Sequence, residues 1–140
     1  MLRLPQGVLD EFVAAAYDAY PYEACGLLAG EPNEQGRDRP TTATHFYRCR
    51  NAAESARVYS VDPLDHLRAE RDAEDRGWAI VGVVHSHTHS EPFPSPTDIA
   101  QAPDPAWHYI IVGLKRESPE TRSYRIVDEV VTEELIVLGP

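Results

Sequence analysis

The stretch WAIVGVVHSHTHSEPFPSPTD, residues 78–98, decides how the rest of the chain is read. Its opening run, Trp78 to Val84, is apolar and of strand length, which predicts a buried strand. His85 and His87 stand two apart at the end of that run, so a strand sends both imidazoles off on one side. Ser95 and Asp98 follow downstream. Two imidazoles and a carboxylate are ligands that Zn²⁺ accepts. Three protein ligands leave a fourth tetrahedral position open, as catalytic sites do and structural sites do not.

The same residues admit simpler readings. Ser95-Pro96-Thr97-Asp98 fits a helix start without any metal, with Ser95 as N-cap, Pro96 as first helical residue and Asp98 as the partner of a capping box. His89 continues the alternation of His85 and His87, and three histidines also make a zinc site. His45, His66 and His108 have no partner at ligand spacing and read as ordinary surface or strand residues.

Composition bounds the remaining possibilities. The 140 residues are enough for one domain with a real core, and 42% of them are hydrophobic. No apolar run approaches the roughly 20 residues of a membrane span, and the Met-Leu-Arg-Leu-Pro start shows no signal-peptide core. Cys25 and Cys49 are too few for a disulfide scaffold, so free thiols in a reducing cytoplasm are expected. Cys25 reads as a small buried hydrophobe. The net charge is −10, with Lys115 the only lysine. That argues against nucleic acid and against an anionic membrane surface as partners, since both draw on basic patches.

The rest of the chain reads as a mixed α/β domain with one mainly antiparallel sheet and helices packed on it. A helix is predicted from about Pro5 to Tyr20, with Val8, Leu9, Phe12, Val13, Ala16 and Tyr20 on its apolar face and Pro21 as its stop. Strands follow at Cys25–Ala29 and Thr42–Cys49, separated by a polar surface loop over Glu31–Pro40. Asn51–Ser60 reads as irregular. Asp62-Pro63 opens a second helix, with Leu64 and Leu67 on one side, which ends near Gly77. A short helix from Asp98 is stopped by Pro103 and Pro105. His108–Leu114 reads as a central strand, and Arg122–Val127 with Val130–Val137 as a hairpin.

The string from His85 to Asp98 resembles the metal motif of the JAMM (MPN+) metalloprotease family, H-x-H-x(7)-S-x-x-D. Four fixed residues at fixed spacing make that motif specific. The family also has a glutamate just ahead of an early strand, and Glu23 before Cys25-Gly-Leu-Leu-Ala-Gly30 is similar to that segment. The resemblance covers most of the chain and implies the family's sheet, which is like that of cytidine deaminases. It implies one Zn²⁺ held by His85, His87 and Asp98, with Glu23 as general base and the Ser95 hydroxyl donating to the developing oxyanion. Bound metal lowers the pKa of water from about 15.7 to about 7.

The family includes deubiquitinases of large complexes and small standalone prokaryotic enzymes, and a chain of this size resembles the latter. Arg122-Ser-Tyr-Arg-Ile-Val-Asp128 and Val131-Thr-Glu-Glu134 are similar to the branch that processes ubiquitin-like sulfur carriers. That implies cleavage after a carrier's C-terminal Gly-Gly, releasing an amino acid or a conjugated protein. Diglycine can thread a narrow groove because it carries no Cβ. Backbone near Arg57-Val-Tyr-Ser60 is expected to pair with the extended tail. A catalytically silent MPN-type scaffold binding a ubiquitin-like partner is the alternative, although such domains usually lack metal residues that this chain has. A zinc nucleoside deaminase would need P-C-x-x-C beside its H-x-E, and a zincin would need H-E-x-x-H; P-C-x-x-C and H-E-x-x-H are both absent.

Overall fold

The computed structural model describes residues 1–32 and 40–140, so most of the predicted loop over Glu31–Pro40 lies outside the described residues. The elements run β1 (Leu2–Pro5), α1 (Gln6–Ala19), β2 (Cys25–Gly30), β3 (Thr41–Cys49), α2 (Pro63–Asp75), β4 (Ala79–His87), α3 (Pro96–Ala100), β5 (His108–Gly113), β6 (Glu120–Val127), β7 (Val130–Glu134) and β8 (Ile136–Gly139). The strands form one mixed sheet in the order β7-β6-β5-β4-β2-β3-β1-β8. Most neighbours are antiparallel; β4–β5, β3–β1 and β1–β8 are parallel. The expected fold class therefore holds. No helix among the described residues is long and apolar enough to cross a membrane.

Apolar periodicity explains both layers. Val8, Phe12, Ala15 and Ala16 of α1 cover one face of the sheet with Leu28, Phe46, Val84 and Ile110. The other strand positions, Leu27, Val83, Tyr109 and Ile111, form a second cluster with Ala69 of α2. Asp62 caps α2 by accepting from the N–H groups of Leu64 and Asp65. Past the helix end, Gly77 takes φ +77°, a conformation that suits glycine.

Several expectations need correction. Tyr20 does not join the apolar face of α1: it caps the helix end and is exposed. The buried residues of α2 are Ala69 and Ala73, while Leu64 and Leu67 are exposed. The helix lies on β2, β3 and β4 through its small residues. The short helix begins at Pro96, two residues before Asp98. The hairpin's second strand breaks at Leu135: β7 pairs with β6, whereas β8 runs beside β1 at the sheet's other edge. One residue joins the two edges, so the sheet curls until they meet, and Leu135 C=O accepts from Leu2 N–H. His108 is a strand residue but is buried, bonded to Glu134 at 2.6 Å and Thr41 at 2.8 Å across that curl.

Candidate metal centre

Three elements bring the candidate residues together. β4 is flanked by β2 and β5, and its end carries His85 and His87 on the α2 side of the sheet. Both are buried. The strand ends at His87, where the His87 carbonyl accepts from Leu114 N–H. The chain then bends, and α3 returns Asp98 to the histidines. Ser95 and Asp98 form the predicted capping box: Ser95 Oγ accepts from Asp98 N–H at 3.0 Å, and Asp98 Oδ2 from Ser95 N–H at 2.9 Å. Capping thus aims the carboxylate at the imidazoles. It uses Ser95 Oγ as an acceptor and leaves its O–H to donate elsewhere.

The three side chains make a nearly equilateral triangle. His85 Nε2 and His87 Nε2 are 3.1 Å apart, and each is 3.1 Å from Asp98 Oδ2. Bonds of about 2.0–2.1 Å at tetrahedral angles set ligand atoms about 3.3 Å apart, so this donor set fits one zinc-sized cation. His87 Nδ1 donates to the Glu91 carbonyl at 2.8 Å, which fixes its tautomer and turns the Nε2 lone pair inward. His85 Nδ1 is buried without a partner. Its ring is held by Tyr59, stacked at 4.2 Å between centroids with planes 19° apart.

Glu23 arrives from the turn before β2. The register pairs Cys25 with His85, which brings the Glu23 carboxylate alongside the histidines. Its Oε1 is 3.9 Å from His87 Nε2, longer than the triangle's edges. Both carboxylate oxygens are buried and make no hydrogen bond. With His85 and His87, Glu23 forms a group whose donor atoms lie within 4.8 Å of one another. Two carboxylates therefore face the imidazoles. Asp98 touches both Nε2 atoms, and Glu23 stands one step back with nothing to bond.

The electrostatics of these side chains follow from burial and their mutual contacts. Burial pushes the Glu23 carboxyl up to about 7, against the pull of His87 and with the repulsion of Asp98. Burial lowers the pKa of His85 and keeps that ring neutral. For His87 burial opposes the charge, but the bond to Asp98 and the Glu91 carbonyl outweigh it and the pKa is raised. Asp98 is held below the usual carboxylate range, because its bonds to both histidines overcome its burial.

His89 is not part of this group. It is exposed, bonded to Thr88 at 2.8 Å, and 3.4 Å from the Tyr20 hydroxyl. The bend after His87 ends the alternation that would have aligned it. Cys25 is buried and its thiol is pushed up to about 12 by burial, which leaves it a packing residue. The sequence offers Tyr59 only as backbone of a groove, whereas its ring packs on His85. Beside Asp98 a cavity of about 220 Å³ opens, with Tyr59, Val61, His66, Gln101 and Trp107 in its wall.

A curled mixed sheet with a buried His₂-carboxylate triangle and a second, unpartnered carboxylate defines a compact metal-site α/β protein. The chain belongs to the family described as prokaryotic homologs of the JAB domain, whose model matches residues 5–127. It is 40% identical over 135 residues to the CysO-cysteine peptidase of Mycobacterium tuberculosis, covering 96% of this chain and 88% of that one. It is 32% identical over 115 residues to the "Probable TtuB-protein conjugate cleaving protease" of Thermus thermophilus, covering 81% of this chain and 70% of that one. The solution structure of a protein from Desulfitobacterium hafniense superposes with a TM-score of 0.89 at 33% identity, covering 99% of this chain and 93% of that one.

Proposed function

We propose that residues 1–140 form one zinc-dependent peptidase and isopeptidase unit that hydrolyses the amide bond after the C-terminal Gly-Gly of a ubiquitin-like or sulfur-carrier protein. The carrying observation is the triangle of His85, His87 and Asp98 with the buried, unpartnered Glu23 carboxylate beside it. A silent scaffold has no use for a desolvated carboxylate left without a partner. The names of the two relatives, a CysO-cysteine peptidase and a conjugate-cleaving protease, support the substrate class.

His85, His87 and Asp98 would hold the metal. When bound, Zn²⁺ supplies a Lewis acid and makes hydroxide available near neutral pH. Glu23 takes the proton of the attacking water on its carboxylate and returns it to the leaving nitrogen. Ser95 O–H donates to the carbonyl oxygen as charge develops there.

An exposed backbone edge beside the site supports docking of an extended carrier tail. Residues 58–62 run beside 50–52: Asp62 N–H donates to Arg50 C=O, and Ala52 N–H to Ser60 C=O. Val58 C=O and Ser60 N–H also turn inward, to the Asn51 side chain. Strand alternation then faces the N–H and C=O of Tyr59 outward, beside the cavity next to Asp98. An extended tail adds to such an edge through its backbone.

The test is to incubate zinc-loaded protein with a carrier bearing a one-residue extension after Gly-Gly. Release should follow the second glycine, and changing the penultimate glycine to leucine should block it. Equal cleavage of the leucine substrate would defeat the diglycine reading. No release from any diglycine conjugate would defeat the whole proposal.

A further inference from the structure

We infer that Asn51 is the positioning residue for the Glu23 carboxylate, acting through the backbone that carries it. This rests on the reading of Glu23 as general base. The Asn51 side chain makes four hydrogen bonds. Its amide nitrogen donates to Glu23 C=O at 3.1 Å and to Val58 C=O at 3.2 Å. Its amide oxygen accepts from Ala53 N–H at 3.0 Å and Ser60 N–H at 2.9 Å. The orientation is forced, because the flipped amide would set its oxygen against two carbonyl oxygens and its NH₂ against two N–H groups.

What this amide joins matters more than how many bonds it makes. One donor holds the residue whose carboxylate faces His87. The bonds to Val58 and Ser60 hold the segment whose Tyr59 ring stacks on His85, and the bond from Ala53 closes a local turn. Glu23 itself is clamped on every backbone side: its N–H donates to Ser55 C=O at 2.8 Å, and the following N–H, of Ala24, donates to Ser86 Oγ at 2.8 Å. Its carboxylate, by contrast, has no hydrogen bond of its own. Beyond the 3.9 Å approach to His87, nothing polar holds those oxygens, so the backbone clamp sets where they sit. Among the clamping groups, Asn51 is the side chain that reaches both Glu23 and the Tyr59 segment. Asparagine is the residue for this position because it offers two donors and two acceptors at short reach. Alanine offers none, and aspartate of the same shape offers no donor.

A displacement of about 1 Å at a reacting group can cost on the order of 10²-fold in rate. Asn51→Ala should therefore lower the single-turnover rate at saturating carrier by about 10²-fold, with one zinc per chain retained. The discriminating readout is the same substitution in a Glu23→Gln background. If Asn51 acts by placing Glu23, its loss there should cost less than about threefold, because coupled residues are non-additive. An equal loss in both backgrounds would overturn the inference and assign Asn51 to general structure. No loss in the unaltered background would overturn it as well. Should Asn51→Ala fail to fold, Asn51→Asp, which keeps the shape and the acceptor toward Ala53 and Ser60 but turns a charged oxygen on the Glu23 and Val58 carbonyls, carries the same pair of measurements. An unaltered chain that cleaves no diglycine conjugate fails the proposed function, whereas cleavage indifferent to Asn51 fails this inference alone.

Discussion

Replacing Glu23 by glutamine in the metal-free protein should abolish a pH-dependent loss of stability. Glu23 is 2% exposed and neither carboxylate oxygen has a hydrogen-bond partner. Burial raises its pKa from 4.5 to about 7, so the folded chain holds this proton more tightly than the unfolded chain does. Below pH 4.5 the group is protonated in both states and contributes nothing. As pH rises from 4.5 to about 7, the unfolded chain ionises first and the folded state loses ground; above that window the loss is constant. The full shift corresponds to about 3 kcal/mol, and water entering the metal-free cavity reduces this to about 1–3 kcal/mol. Urea unfolding of chelator-treated wild type and Glu23→Gln at pH 4.5 and pH 8 measures it. The amide imposes a fixed offset, but the stability difference should move by about 1–3 kcal/mol in the variant's favour between the two pH values. Parallel pH curves for the two proteins would refute the assignment of a desolvated, ionisable Glu23.

The remaining expectations concern the metal, the base and the sheet. His87→Ala should lose tight zinc binding while keeping a cooperative melt, whereas His89→Ala should keep both; elemental analysis with the opposite pattern would restore the three-histidine site. Zinc-loaded Glu23→Gln should bind carrier normally and turn over about 10²–10⁴-fold more slowly, as loss of an acid–base group does; near-normal turnover would make Glu23 a bystander. Gly26→Ala puts a Cβ against the Phe46 ring and 2.5 Å from the Tyr47 carbonyl oxygen. Thermal melting should show a loss of about 1–3 kcal/mol, the usual cost of overpacking, and an unchanged melt would mean that β2 and β3 can part.

The parts of the fold and site that were legible in the sequence are those written in local chemistry. The apolar run before His85, the two-residue spacing of the histidines and the capping box at Ser95 each lie within one element, and each formed as read. Glu23 was legible only through family resemblance, because long-range pairing brings it in: the adjoining Ala24 and Ser86 are bonded across 62 residues. β1 and β8 are four-residue strands held by parallel pairing of residues from opposite ends of the chain, which no local propensity encodes. Periodicity on α2 favoured its large leucines, while the close approach to the sheet selected Ala69 and Ala73. Asn51 gave no local signal, since its meaning lies in the four backbone groups that the fold brings to it.

The central claim is that His85, His87 and Asp98 hold one zinc ion that the cleavage of diglycine conjugates requires. Its most direct test is to titrate Zn²⁺ into metal-free protein while following release of a C-terminal extension from a Gly-Gly carrier by mass spectrometry. The rate should rise linearly, break at one equivalent per chain, and stay at background throughout in Asp98→Ala. Full cleavage by the metal-free protein, or the same break in Asp98→Ala, would contradict it.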